Sequence, residues 1–136
     1  IVDEFQHIVY ENPDMSPKER NNAYLKLEKK YRPYLSLEGI PYLENGTRWQ
    51  YQMHIYESPF YYIDYCLAQT AAFNFLLASQ ENYYDAFARY IRFSKHGGEM
   101  VWTDLLKEAG FTAPFVPGAL KEMAARVEAL LEKIKV

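Results

Sequence analysis

The sequence predicts an all-α fold of about seven helices, and three observations carry that reading. Apolar residues recur at three- and four-residue spacing, as in Ile1, Val2, Phe5, Ile8 and Val9 and again in Leu120, Met123, Val127, Leu130, Leu131 and Ile134. Residues that favour helix starts, Ser16-Pro17, Ser58-Pro59 and Asn82, stand ahead of such stretches. No stretch alternates apolar and polar residues as a half-buried strand does, and no repeat or low-complexity segment is present.

The elements follow in order. The first helix already has its spacing at Ile1, with no initiator Met and no capping residue ahead of it, so the chain reads as a piece of a longer protein. It should stop at Asn12-Pro13, because a residue before proline avoids the helical region. Ser16 then caps a second helix, Pro17 suits its first position and Glu19 completes a capping box. Tyr24, Leu27 and Tyr31 continue this helix along one face up to Pro33. Residues 33–46 hold Pro33, Gly39, Pro41 and Asn45-Gly46, which predicts a long connection with no regular structure beyond a turn.

Thr47 is expected to cap a helix that carries Trp49 and Met53 and has His54 at its end. Ser58-Pro59 should open a helix from Phe60 to about Ala78 that is apolar almost all round, as a buried helix is. Asn82 starts another through Phe87, Tyr90 and Phe93, ended by Gly97-Gly98. A short helix from about Glu99 to Ala109 takes Gly110 as a left-handed cap. Pro114 and Pro117 bracket a turn, and an amphipathic helix from Gly118 to Val136 closes the chain. The 136 residues read as one piece with no second domain.

Composition narrows the function. With 15 basic and 18 acidic residues the net charge is -3, and no basic run offers a phosphate backbone a footing, so no nucleic acid is expected. No stretch approaches the roughly 20 apolar residues that span a bilayer, and no signal peptide opens the chain, so no membrane partner is expected either. The single cysteine, Cys66, excludes an internal disulfide and reads as a small core residue; a reducing, cytoplasmic location is expected. Aromatic residues make up 17% of the chain, 13 of them Tyr, a residue suited to walls packed on one side and wet on the other.

One segment concentrates chemistry. His54 is followed within a few residues by Tyr61, Tyr62 and Tyr65, spaced so that all three can share one broad helix face. Hydroxyls fixed on a helix lose little freedom on meeting a ligand and suit the stabilisation of an oxyanion. The histidine can donate to a carbonyl or a tetrahedral intermediate. On spacing alone, packing is the commoner explanation of such a histidine and such a tyrosine stripe.

The run His54 to Gln69, HIYESPFYYIDYCLAQ, resembles the C-terminal signature of the oligoendopeptidase F and thimet oligopeptidase family of zinc metallopeptidases. Val2-Asp3-Glu4-Phe5-Gln6-His7, Tyr10-Glu11-Asn12-Pro13 and Glu28-Lys29-Lys30-Tyr31 are similar to the bacterial oligoendopeptidase branch. The resemblance implies a largely helical, zincin-like catalytic domain with a deep channel between lobes. It implies zinc held by H-E-x-x-H and a downstream Glu, with the Glu of that motif activating a zinc-bound water. Later His and Tyr residues hold the substrate and stabilise the oxyanion. His54 matches that histidine, as a catalytic and substrate-binding residue. Tyr65 best matches the tyrosine that reaches the oxyanion and Tyr62 the one a turn earlier, with Tyr61 facing the substrate. In the thimet branch the stretch is glycine-rich and slightly longer; Ser58-Pro59-Phe60 stands there here, which leaves the register among Tyr61, Tyr62 and Tyr65 open.

The histidines are His7, His54 and His96, none four residues from another, so no H-E-x-x-H exists. A catalytic zinc takes three protein ligands and an open position. His7, beside Asp3 and Glu4, is not expected to bind metal, and His96 reads as a helix C-terminal residue. The expectation is therefore the C-terminal segment of a zinc metalloendopeptidase that cleaves short peptides. It supplies His and Tyr residues while zinc is held by the N-terminal part of the same protein, and it is inactive alone. The other reading is a non-enzymatic helical module whose aromatic groove binds a peptide or partner helix.

Overall fold

The computed structural model describes residues 1–134. Among these there are seven α-helices and two short 3-10 turns, and no strand, as the periodicity predicts. The helices are α1 (Val2–Glu11), α2 (Pro17–Tyr31), α3 (His54–Glu57), α4 (Ile63–Glu81), α5 (Tyr83–Lys95), α6 (Trp102–Glu108) and α7 (Ala119–Lys133), with 3-10 turns at Leu43–Asn45 and Thr47–Tyr51. The chain divides into two compact units, Ile1–Asp64 and Tyr65–Val136. The expected end of the last helix at Val136 lies outside the described residues.

In the first unit, α1 and α2 meet through the apolar positions that the sequence spaces for burial. Val2, Phe5, Tyr24, Leu27, Trp49 and Ile55 form the core. Phe5 is wholly enclosed, edge-on to Tyr24 at 5.1 Å and tilted against Trp49 at 5.4 Å. α2 starts with the expected capping box: the Glu19 N–H donates to the Ser16 side chain, and the Ser16 N–H donates to the Glu19 carboxylate at 2.7 Å. Tyr31 lies outside the core, half exposed, where its hydroxyl and the Lys30 ammonium both donate to Glu4. Buried Glu28 on α2 faces Arg32 at 3.6 Å and Arg48 at 4.0 Å, and so ties the turn that carries Trp49 to α2.

Gly46 sits between the two 3-10 turns with φ +76°. A Cβ there would meet the Asn21 carbonyl oxygen at 2.2 Å and Leu25 Cβ at 2.9 Å. The turn therefore needs glycine twice, for its backbone angle and for its approach to α2.

Three expectations around the chemistry-bearing segment are corrected. Thr47 is no helix cap; its hydroxyl donates back to the Tyr42 carbonyl at 2.7 Å, and the residues that follow form a 3-10 turn. His54 opens α3 instead of ending a longer helix. Phe60, Tyr61 and Tyr62 precede α4, which starts at Ile63. Phe60 has φ +60°, a left-handed conformation that interrupts any helix running through it. Its ring is seated 4.7 Å from that of His7 and 5.3 Å from that of Tyr10, contacts that offset the conformational cost.

The second unit is built on α4. Phe75 is its aromatic centre, edge-on to Tyr90, Phe93 and Phe111 at 5.4, 5.5 and 4.7 Å. Ala71, Leu77, Ala86, Leu105, Leu106 and Ala109 are buried. α6 begins at Trp102, later than expected, and ends in a Schellman motif: Phe111 N–H to Leu106 O at 2.8 Å and Gly110 N–H to Lys107 O at 2.9 Å, with Gly110 at φ +77°. His96 caps the C-terminus of α5, with carboxylates of Glu99 and Glu108 at 3.1 and 3.4 Å.

α4 is not enclosed as its composition suggests. Only Ala71 and Leu77 are buried along it, and Ile63, Tyr65 and Leu76 are exposed. A helix apolar on every side needs neighbours on every side, and α5, α6 and α7 do not supply them. Cys66 is exposed and is no core residue. α7 buries none of its residues, and Leu120, Leu131 and Ile134 are exposed on the side expected to be covered. Among the described residues no helix is long and apolar enough to cross a membrane.

Candidate functional site

The first unit gathers Gln52, His54, Tyr61 and Tyr62. The 3-10 turn Thr47–Tyr51 ends at Gln52, whose N–H donates to the Trp49 carbonyl at 3.0 Å. Two residues on, His54 begins α3, and its Nδ1 lies 2.7 Å from the side-chain amide nitrogen of Gln52. α3 is anchored by Ile55, whose side chain is in the core and whose carbonyl accepts from the Tyr10 hydroxyl at 3.0 Å. The left-handed Phe60 then turns the chain back so that two tyrosines meet the histidine. Tyr61 lies nearly parallel to the imidazole, 6.3 Å away at 8°. Tyr62 lies 4.8 Å away at 60° and rests on the core.

Of the residues singled out in the sequence, His54, Tyr61 and Tyr62 are thus brought together. They share no helix face; a turn holds the tyrosines. Tyr65 is placed in the first turn of α4, at the start of the second unit, and is 52% exposed. His7 is exposed on α1, 3.8 Å from Asp3, and His96 is held between carboxylates. Among the described residues no three His, Cys, Asp or Glu side chains converge where they could hold a metal ion.

Sequence reading missed Gln52 and Phe60. Gln52 carries no motif and is marked only by its position two residues before the histidine. Phe60 follows Ser-Pro, a break that announces a turn without stating its handedness.

Burial also sets local ionisation. The Tyr24 hydroxyl is raised above its ordinary value by burial first and by the neighbouring Glu28 carboxylate second. Tyr56 is raised by burial. Tyr56 stacks with Trp49 at 6.1 Å and, with Phe5, Val9, Tyr10 and Ile55, lines an apolar cleft of about 400 Å³ beside α3.

The all-helical fold matches one segment of proteins assigned as peptidases. The particular likeness is to oligoendopeptidase F. Over 98% of its length the chain matches a protein assigned as oligoendopeptidase F, with a TM-score of 0.93 and 44% identity, and covers 24% of that protein. PZ peptidase A, solved with an inhibitor, matches over 98% of this chain with a TM-score of 0.93 and 43% identity, again over 24% of its own length. A Bacillus anthracis protein assigned as oligoendopeptidase F gives 0.74 and 37% over 98% of this chain and 20% of its own. The chain therefore spans about a quarter of the length of the first two, and the resemblance carried by HIYESPFYYIDYCLAQ extends to nearly all of its residues. No protein-family model and no curated protein matches it.

Proposed function

We propose that this chain is the segment of a zinc metalloendopeptidase that presents a histidine and tyrosine hydroxyls to short peptide substrates. The observation that carries the reading is the seating of His54 against Tyr61 and Tyr62, built by a strained turn at Phe60. Strain of this kind concentrates at functional sites, where packing elsewhere offsets it. The similarity above 40% identity to oligoendopeptidase F and PZ peptidase A supports the same reading. In it, His54 holds the substrate backbone, Tyr61 lines the substrate, and Tyr65 or Tyr62 donates to the oxygen on which negative charge develops.

In this reading the metal belongs to the remainder of the protein, since this sequence carries no H-E-x-x-H, and the partners of this chain are that remainder and the peptide. The exposed apolar faces of α4 and α7 are surface of the kind that a folded neighbour covers.

The test is steady-state kinetics of the full-length protein on a short quenched peptide, with His54→Ala, Tyr62→Phe and Tyr65→Phe compared at equal zinc content. Reduced turnover in His54→Ala and in one of the two tyrosine variants is the expected result. Near-normal turnover in all three would return these rings to packing.

A further inference from the structure

We propose that Gln52 is a positioning residue that fixes the tautomer of His54, keeping the imidazole proton on Nε2 so that His54 acts as a hydrogen-bond donor and not as a base. Its consequence for catalysis rests on the function proposed above; the tautomer itself does not.

The geometry is specific. The side-chain amide nitrogen of Gln52 stands 2.7 Å from His54 Nδ1. An amide nitrogen can only donate, so Nδ1 must accept, and a neutral imidazole accepting at Nδ1 carries its one proton on Nε2. Both partners are held by backbone that the core defines. The Gln52 N–H donates to the Trp49 carbonyl at 3.0 Å, and the Gln52 carbonyl accepts from the Ile55 N–H at 3.0 Å. Trp49 and Ile55 are themselves core residues, so the two-residue step from Gln52 to His54 is clamped at each end. The Tyr61 ring, parallel to the imidazole, and the Tyr62 ring beside it restrict rotation of the imidazole.

The chemical consequence follows from the proton's place. An Nε2–H suits a substrate carbonyl oxygen and strengthens as that oxygen gains charge. The other tautomer would offer Nε2 as an acceptor, useless to a carbonyl. A second residue that orients a histidine ring and selects its tautomer is a recurring device in enzyme sites.

The experiment has two arms. In the first, the full-length protein is labelled with 15N-histidine, and long-range proton–nitrogen correlations are recorded at a pH where histidine is neutral. His54 is assigned by the resonance lost in His54→Ala. The expected spectrum shows His54 protonated on Nε2. Gln52→Glu, whose carboxylate can only accept, should transfer the proton to Nδ1. Gln52→Met, similar in length and without a donor, should give a mixture of tautomers; it serves also if the Glu variant fails to fold. Finding native His54 protonated on Nδ1, or finding no change in either variant, would overturn the proposal.

In the second arm, the full-length protein is assayed on a short quenched peptide. Gln52→Glu should lower kcat/KM by roughly tenfold to a hundredfold, the usual reach of a residue that orients another. Gln52→Met should lower it less, because part of its histidine population keeps the native tautomer, and a merely structural role would not produce that order. Unchanged kinetics together with a reversed tautomer would overturn the catalytic consequence. A silent His54→Ala with the tautomer shifts intact would instead remove the function proposed for His54 and leave the Gln52 assignment standing.

Discussion

The hydroxyl of Tyr10, near the end of α1, donates to the carbonyl oxygen of Ile55 at 3.0 Å, forty-five residues along the chain. This bond fixes α3 against α1 one residue after His54. The same Tyr10 ring supports Phe60 edge-on, so a single side chain steadies both ends of the segment that carries the histidine and its tyrosines.

Removing that hydroxyl should therefore have a local and a global effect. Tyr10→Phe keeps the ring and its contact with Phe60 but leaves the Ile55 carbonyl without this donor. The expected loss is about 1 kcal/mol of stability, the usual net worth of such a hydrogen bond. Chemical denaturation of the two proteins measures it, and an unchanged midpoint would mean that water replaces the bond at no cost.

The tyrosines separate by substitution. If Tyr65 reaches the developing oxyanion, Tyr65→Phe in the full-length protein should lower kcat on the order of a hundredfold to a thousandfold with little change in KM. Tyr62→Phe should then be milder, because the Tyr62 ring already serves the core. The reverse order of severity would assign the role to Tyr62 and settle the register. His54→Ala should lower kcat and raise KM together if the imidazole also holds the substrate backbone.

Gly46 and Gly39 make a matched pair. Both have positive φ, +76° and +74°, yet a Cβ at Gly39 meets nothing within 4 Å while one at Gly46 strikes the Asn21 carbonyl. Gly39→Ala should cost roughly 1–2 kcal/mol, the penalty for an L residue in the left-handed region. Gly46→Ala carries the same penalty plus the collision with α2, so it should be clearly the worse of the two in thermal unfolding. Equal shifts would mean that α2 yields freely at Asn21.

Acid should weaken the contact between Glu4 and α2. The hydrogen bond from Lys30, and then that from Tyr31, holds the Glu4 carboxyl below its ordinary value. A carboxyl lowered in the folded state adds stability above its unfolded value and loses it as pH falls through the lower folded value. Thermal unfolding of the native chain should therefore drop more steeply below the ordinary carboxylate range than that of Glu4→Gln. Added salt should narrow the difference, because the pair is exposed. Parallel acid limbs in the two proteins would count against any such contribution.

The sequence by itself determined the all-helical class and most of the helix ends. The capping box at Ser16, the Asn12-Pro13 stop and the Gly110 cap act through backbone groups a few residues away, so local chemistry suffices to read them. It determined His54, Tyr61 and Tyr62 as candidates for one site, because residue types so close in sequence stay close in any fold, and HIYESPFYYIDYCLAQ carried the likeness to oligoendopeptidase F.

Only tertiary structure decided the shape of that site. Whether residues 60–62 continue a helix depends on Phe60 finding His7 and Tyr10, some fifty residues away, to offset a left-handed backbone. The pairing of Gln52 with His54 likewise depends on the core around Trp49 and Ile55 clamping the chain between them. Burial was misjudged for the same reason at Cys66, along α4 and along α7. An apolar stripe states what a helix can bury, and only the neighbours present determine what is covered.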